Sequence, residues 1–205
     1  MTLLRRLDLD AHAHADEAPA PGVEGNRRLT AALGAVLLLL LAVEGGTIPF
    51  LGQLEVVHVV VGLVLIPIVL LKLGTTFYRF ARYYAAHRDY RRSGPPHPVM
   101  RMAGPFVVVT TAALFASGVT LAMVGRHSQI VYGIHKASFI AWFVAMTVHV
   151  LGHVWSTPSV AVRDWSAAQR MPGSRVRQLT VVGVTLAGLG AAAIVYPLLP
   201  AWGHG

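Results

Sequence analysis

Five apolar runs, each of a length suited to crossing a lipid bilayer as a helix, dominate this chain of 205 residues. They cover 29–43 (continuing to about Pro49), 54–78, 103–124, 133–156 and 178–199. A helix rises about 1.5 Å per residue, so roughly 20 apolar residues match the ~30 Å hydrocarbon layer of a membrane. A backbone with no water around it must satisfy its own polar groups, which leaves helices as the structure for runs of this kind. The expected fold is therefore an all-α integral membrane protein with five spans.

Composition agrees. Hydrophobic residues make up 55% and charged residues 13% of the chain. The net charge of +8 would point to nucleic acid in a soluble protein. Here the arginines sit in connections beside apolar spans, so the charge reads as topology and contact with anionic lipid. No nucleic-acid module is present. There are no cysteines, which excludes disulfides, thiolate metal sites and covalent haem attachment through Cys-x-x-Cys-His.

The connections set the orientation. The N-terminal segment, the second-to-third connection and the fourth-to-fifth connection together hold fourteen arginines. The opposite connections hold Arg126, with Glu44, Glu55 and Lys136 near the boundary. The positive-inside rule puts the N-terminus in the cytoplasm and the C-terminus outside the cell membrane. The expected organisation is a mobile cytoplasmic tail (1–26), a four-helix core (27–156), a basic cytoplasmic loop (157–177) and a fifth transmembrane helix with a short outer tail (178–205). Pro67 should kink the second helix, and Lys72 should snorkel towards the interface. Gly104, Gly118 and other small residues should mark a close-packing face on the third helix.

Ionisable side chains inside a lipid-spanning helix are expensive and usually face a protein interior with a task. The fourth run holds His135, His149 and His153. His135 and His149 are fourteen residues apart, nearly four whole turns, so both lie on one face about 21 Å apart. The second run holds His58 near its start and Gly62 one turn later. The second and fourth helices enter the membrane from the same side, so His58 and His135 lie at similar depth. A single intramembrane histidine is often an interhelical hydrogen-bonding residue. Two at matched depth on different helices can clamp one haem iron from both faces, with Gly62 letting the flat macrocycle approach the backbone. Without cysteine such a haem is non-covalent, a haem b. Arg126, His127 and Lys136 lie near this site and are placed to neutralise its propionates. His149 lies near the inner end of its helix. The matching position on the second helix, fourteen residues after His58, is Lys72 rather than histidine.

The segment His58-Val-Val-Val-Gly62, followed by an apolar run and an arginine-rich end, resembles the second helix of the bacterial cytochrome b561 family. His135-x13-His149 resembles that family's last core helix. The resemblance covers about 27–156 and implies a four-helix haem-binding bundle with the fifth transmembrane helix as an addition. It further implies that His58 and His135 ligate an outer haem and that His149 is one ligand of an inner haem. The family's remaining inner ligand aligns near Gly34, so one haem is expected, and a second only if His149 finds another partner.

The implied function is electron transfer between a membrane quinone pool and an outer-face redox partner, as the membrane subunit of an exported oxidoreductase. The partners expected are membrane lipid, a quinone and an exported redox subunit. Two alternatives stay open: a stand-alone superoxide or small-substrate:quinone oxidoreductase, and a haem-free small transporter or scaffold.

Overall fold

A computed structural model describes residues 19–92, 98–125 and 128–199. Among the described residues all regular structure is helical. The helices are α1 (Pro21–Thr47), α2 (Leu51–Tyr84), α3 (Arg88–Arg92), α4 (Pro98–Val124), α5 (Gln129–Leu151), α6 (Thr157–Ala161) and α7 (Ser174–Val195). Four stretches are long and apolar enough to cross a membrane: Pro21–Tyr84, Arg101–Val124, Gln129–Leu151 and Ser174–Leu198. The first contains α1 and α2, joined by a 3-10 turn at Ile48–Phe50 and folded back on each other. Large apolar side chains such as Leu39, Phe106, Ile130 and Leu179 are exposed on the outside of this assembly, as lipid contact requires.

The hairpin register is fixed by polar pairs along its length. Asn26 Nδ2 donates to the Thr75 carbonyl at 3.2 Å, and Lys72 Nζ donates to the Thr30 carbonyl at 3.0 Å. At the turn end, Thr47 Oγ1 lies 2.8 Å from His58 Nδ1. Between these ties Leu33, Leu37, Val64, Leu65 and Ile68 form the core, which α7 completes with Val181 and Ala192. In lipid the hydrophobic effect gives little drive for helices to associate, so close packing and hydrogen bonds must hold them. Gly188 of α7 supplies the closest approach: a Cβ there would lie 2.6 Å from the Val64 carbonyl oxygen and 3.3 Å from Pro67 Cγ. The α4–α5 pair forms a second unit, pinned by Trp142 Nε1 donating to Thr111 Oγ1 at 3.1 Å. Gly125, with φ of 75°, ends α4 in the left-handed conformation that glycine adopts without strain.

Several expectations are corrected. α1 starts at Pro21, a residue suited to the first helical position, so 21–26 are helix rather than tail. Pro67 is accommodated inside α2, whose one non-helical residue is Leu54. Lys72 does not snorkel outwards; its ammonium turns into the hairpin. Gly104 faces open space, so the close contact of α4 lies at Gly118 instead. The α5 helix stops at Leu151, which leaves His153 in a turn.

The basic loop is also ordered. Asp164 ties it to two helices. The Arg177 guanidinium pairs with both carboxylate oxygens, Arg28 Nη1 donates to Oδ1 at 3.1 Å, and the Ser174 hydroxyl donates to Oδ1 at 2.9 Å. Glu24 gathers Arg27, Arg28 and Arg163 nearby. The starts of α1 and α7 and the connection leading into α7 are thereby clamped at one end of the molecule.

Burial by itself would raise the Asp164 carboxyl, but the hydrogen bonds from Arg177, Ser174 and Arg28 hold it at about 2. A depressed carboxyl contributes stability that is intact above its ordinary range and is lost as pH falls through about 2. Asp164→Asn should therefore lower stability near neutral pH by roughly 2 kcal/mol, since it removes the carboxylate that pairs with the partly buried Arg177 and Arg28 guanidinium groups. The gap in melting temperature between the wild type and this variant should close on acidification; a gap that stays constant down to pH ~2 would show that the charge of Asp164 is not what the clamp uses.

Candidate cofactor site

A cavity of about 620 Å³ lies between the α1–α2 hairpin and the α4–α5 pair. It is of the size that small-molecule and cofactor sites adopt, and its wall is almost wholly apolar. Leu63, Phe115, Phe139 and Trp142 contribute to that wall, and His58 and His135 line it from α2 and α5. His58 is seven residues into α2 and His135 six into α5, so each sits about 10 Å along its helix.

Local hydrogen bonds fix the state of both rings. The Thr47 hydroxyl donates its one hydrogen to the Glu44 carbonyl at 2.6 Å, one turn back in α1. Its oxygen can then only accept, so His58 Nδ1 must donate to it across 2.8 Å. The Glu44 carboxylate oxygen Oε1 is a further acceptor 3.2 Å from the same nitrogen. On the other side, the Ser117 hydroxyl donates to the carbonyls of Ala113 and Leu114 at 2.7 and 3.0 Å, so it accepts from His135 Nδ1 at 3.1 Å. A neutral imidazole that donates through Nδ1 carries its lone pair on Nε2. The two histidines therefore hold matching tautomers, each oriented by its other nitrogen, the arrangement by which proteins aim imidazole at a metal.

The glycines suit a flat ligand. Gly62 lines the cavity, where a Cβ would meet nothing closer than Glu44 Oε1 at 3.5 Å. Gly118, also in the wall, gives the His135 ring its room: a Cβ there would lie 3.0 Å from His135 Cε1. These features fit a haem held between two imidazoles. Among the described residues no three His, Asp or Glu side chains cluster as a site for a bare metal ion.

The remaining site residues expected from the sequence are distributed differently. Lys136 is exposed, with Nζ 5.5 Å from the ring centroid of Tyr132, which lines the cavity. Arg126 and His127 lie outside the described residues, as do His12, His14, His97 and His204. His149 does not line the cavity. Its ring stacks on that of His153 at 4.7 Å between centroids, and its Nδ1 is buried without a hydrogen bond. At the position aligned with a second inner ligand, the Lys72 ammonium fills the space over Gly34, 2.9 Å from where a Cβ would be.

Sequence reasoning missed the three residues that orient the histidines. Thr47 and Ser117 are ordinary helical hydroxyls whose role depends on which helix packs beside them. Glu44 carried a usable signal, because an acid near the end of an apolar span needs a partner. Comparison of the chain with protein-family models, with curated proteins and with solved structures finds no match.

Replacing Gly118 tests the packing of the His135 ring. Gly118→Val should cost on the order of 2 kcal/mol by overpacking, measured as a lower melting temperature in detergent. Gly104→Val on the same helix, which meets open space, should leave stability near wild type. Equal losses from the two changes would show that the Gly118 contact does not position the ring.

Proposed function

We propose that this chain is a five-span membrane b-type cytochrome of the bacterial cytochrome b561 kind. It holds one haem b between His58 and His135 and passes single electrons between a membrane quinone and an exported redox partner. The observation that carries this reading is the matched pair of histidines on one apolar cavity, each fixed by a neighbouring hydroxyl with Nε2 as its lone-pair nitrogen.

Held between His58 and His135, a haem would supply reversible one-electron chemistry at iron. The protein's contribution is positional and electrostatic. Thr47 and Glu44 hold the His58 ring, Ser117 holds the His135 ring, and the apolar walls keep water away from both. Lys136, above Tyr132 at the rim, is placed to meet an anionic propionate or the surface of a partner. The arginines of 27–28, 79–92 and 163–177 lie at the opposite end from the Ile48–Phe50 turn, which supports a cytoplasmic N-terminus and an outward-facing cavity. With five spans the C-terminus is then outside. His149 stands apart from the cavity, which supports one haem rather than two.

The reading is tested by the haem-to-protein ratio of the detergent-purified chain, from a reduced pyridine haemochrome spectrum. A ratio near one is expected. His58→Ala or His135→Ala should abolish haem binding, whereas His149→Ala should leave the ratio and the spectrum unchanged. A folded wild type without haem would remove the cytochrome reading, and haem that survives both ligand changes would refute the ligand pair. Co-purification of a larger soluble redox protein is the expected sign of the exported partner.

A further inference from the structure

The end of the molecule remote from the cavity carries a second arrangement, built on the C-terminus of α2. Residues 79–92 contain five arginines against one acid, Asp89. The chain reverses here through a paired capping turn: the Ala86 amide donates to the Tyr83 carbonyl at 3.2 Å and the His87 amide to the Arg82 carbonyl at 3.1 Å. Ala86 takes the left-handed position usually filled by glycine, with φ of 59°. The turn folds α3 back so that Tyr90 is buried edge-on against Tyr78, with centroids 6.0 Å apart. The Arg82 guanidinium lies over both rings, at 5.8 and 5.9 Å.

This construction leaves two nitrogens unsatisfied. Arg82 Nε and His87 Nδ1 are both buried without a hydrogen-bond partner. The capping bond between the two residues keeps them together, and the His87 ring packs 5.9 Å from that of Tyr90. Arg82 Nε always carries a hydrogen and cannot accept, and His87 Nδ1 is a donor in the complementary state. The missing group is therefore an acceptor, and the surrounding arginines require it to be an anion. Its depth is also given. Tyr78, Phe80 and Tyr84 are exposed where the apolar span of α2 meets the first arginines, the level at which aromatic side chains sit among lipid headgroups. A phosphodiester offers two acceptor oxygens and no donor.

We infer that Arg82 and His87, framed by Tyr78 and Tyr90, bind the phosphodiester of an anionic phospholipid at the headgroup layer. The site is independent of the haem assignment. The contrast is with the diffuse attraction that any basic loop exerts on an anionic membrane.

The test is native mass spectrometry of the full chain in detergent, incubated with equal amounts of phosphatidylglycerol and phosphatidylcholine. The wild type should retain the anionic lipid with at least a roughly tenfold preference. Arg82→Lys keeps the charge but has no Nε–H, and His87→Phe keeps a ring without nitrogen. Each should reduce the preference severalfold in protein that still elutes as a folded species. Arg175→Gln removes a charge from the other basic loop and should leave the preference intact. If Arg175→Gln lowers it as much as the site variants do, the attraction is diffuse and the site is refuted. Displacement of the lipid by millimolar inorganic phosphate would mark a soluble-anion site and also overturn the inference, as would an unchanged preference in both site variants.

Discussion

Within a bilayer no water is available to repair an unmet hydrogen bond, and most of this structure follows from that constraint. The apolar spans contain few polar side chains, and several of these are paired across helices. Trp142 reaches Thr111, Lys72 reaches the Thr30 carbonyl, and Asn26 reaches the Thr75 carbonyl. Each pair fixes a helix–helix register that apolar packing alone would leave free to slide. The histidines obey the same rule. His58 and His135 each satisfy one nitrogen against a hydroxyl whose own hydrogen is already committed to its helix backbone. The pairing that meets the hydrogen-bonding requirement also fixes the tautomer, so the chemistry of the site comes from the way the helices are held together.

The two helical units are held by different means. α1, α2 and α7 share a continuous core, with the Gly188 contact drawing α7 onto α2 and the Asp164 and Glu24 clamps locking their ends. α4 and α5 pack mainly on each other, and the cavity occupies the space between the units. One histidine comes from each unit. A ligand bound by both would therefore bridge elements that otherwise touch sparingly, and would add to the stability of the whole in proportion to its affinity. The fifth long helix has a role in this scheme without contributing to the cavity. It packs against α2, the helix that carries His58.

Much of this was legible in the sequence. The apolar runs gave the helical character, and the depth argument brought His58 and His135 to the same level, where the structure has them lining one cavity. What was not legible depended on side-chain choice between competing partners. Lys72 had a solvent-seeking option at its end of the helix, but Gly34 leaves room for the ammonium and the Thr30 carbonyl receives it. The end of α5 was placed too far along the chain because the apolar pattern continues past Leu151, while Gly152 and the residues after it form a turn. The order of the basic loop was not legible because its arginines are conspicuous in the sequence, while the carboxylates that tie it to α1 and α7, Asp164 and Glu24, are not.

On the proposed reading, Lys72 also bears on how many haems the chain would hold. An inner haem would need a second imidazole facing His149, which the family resemblance would put near Gly34. The missing side chain at Gly34 has been taken up by the Lys72 ammonium, which cannot ligate iron while it is protonated and donating to the Thr30 carbonyl. His149, meanwhile, turns to His153 and keeps its Nδ1 unbonded. Among the described residues, neither ring of the His149–His153 stack has the hydroxyl acceptor that orients His58 and His135.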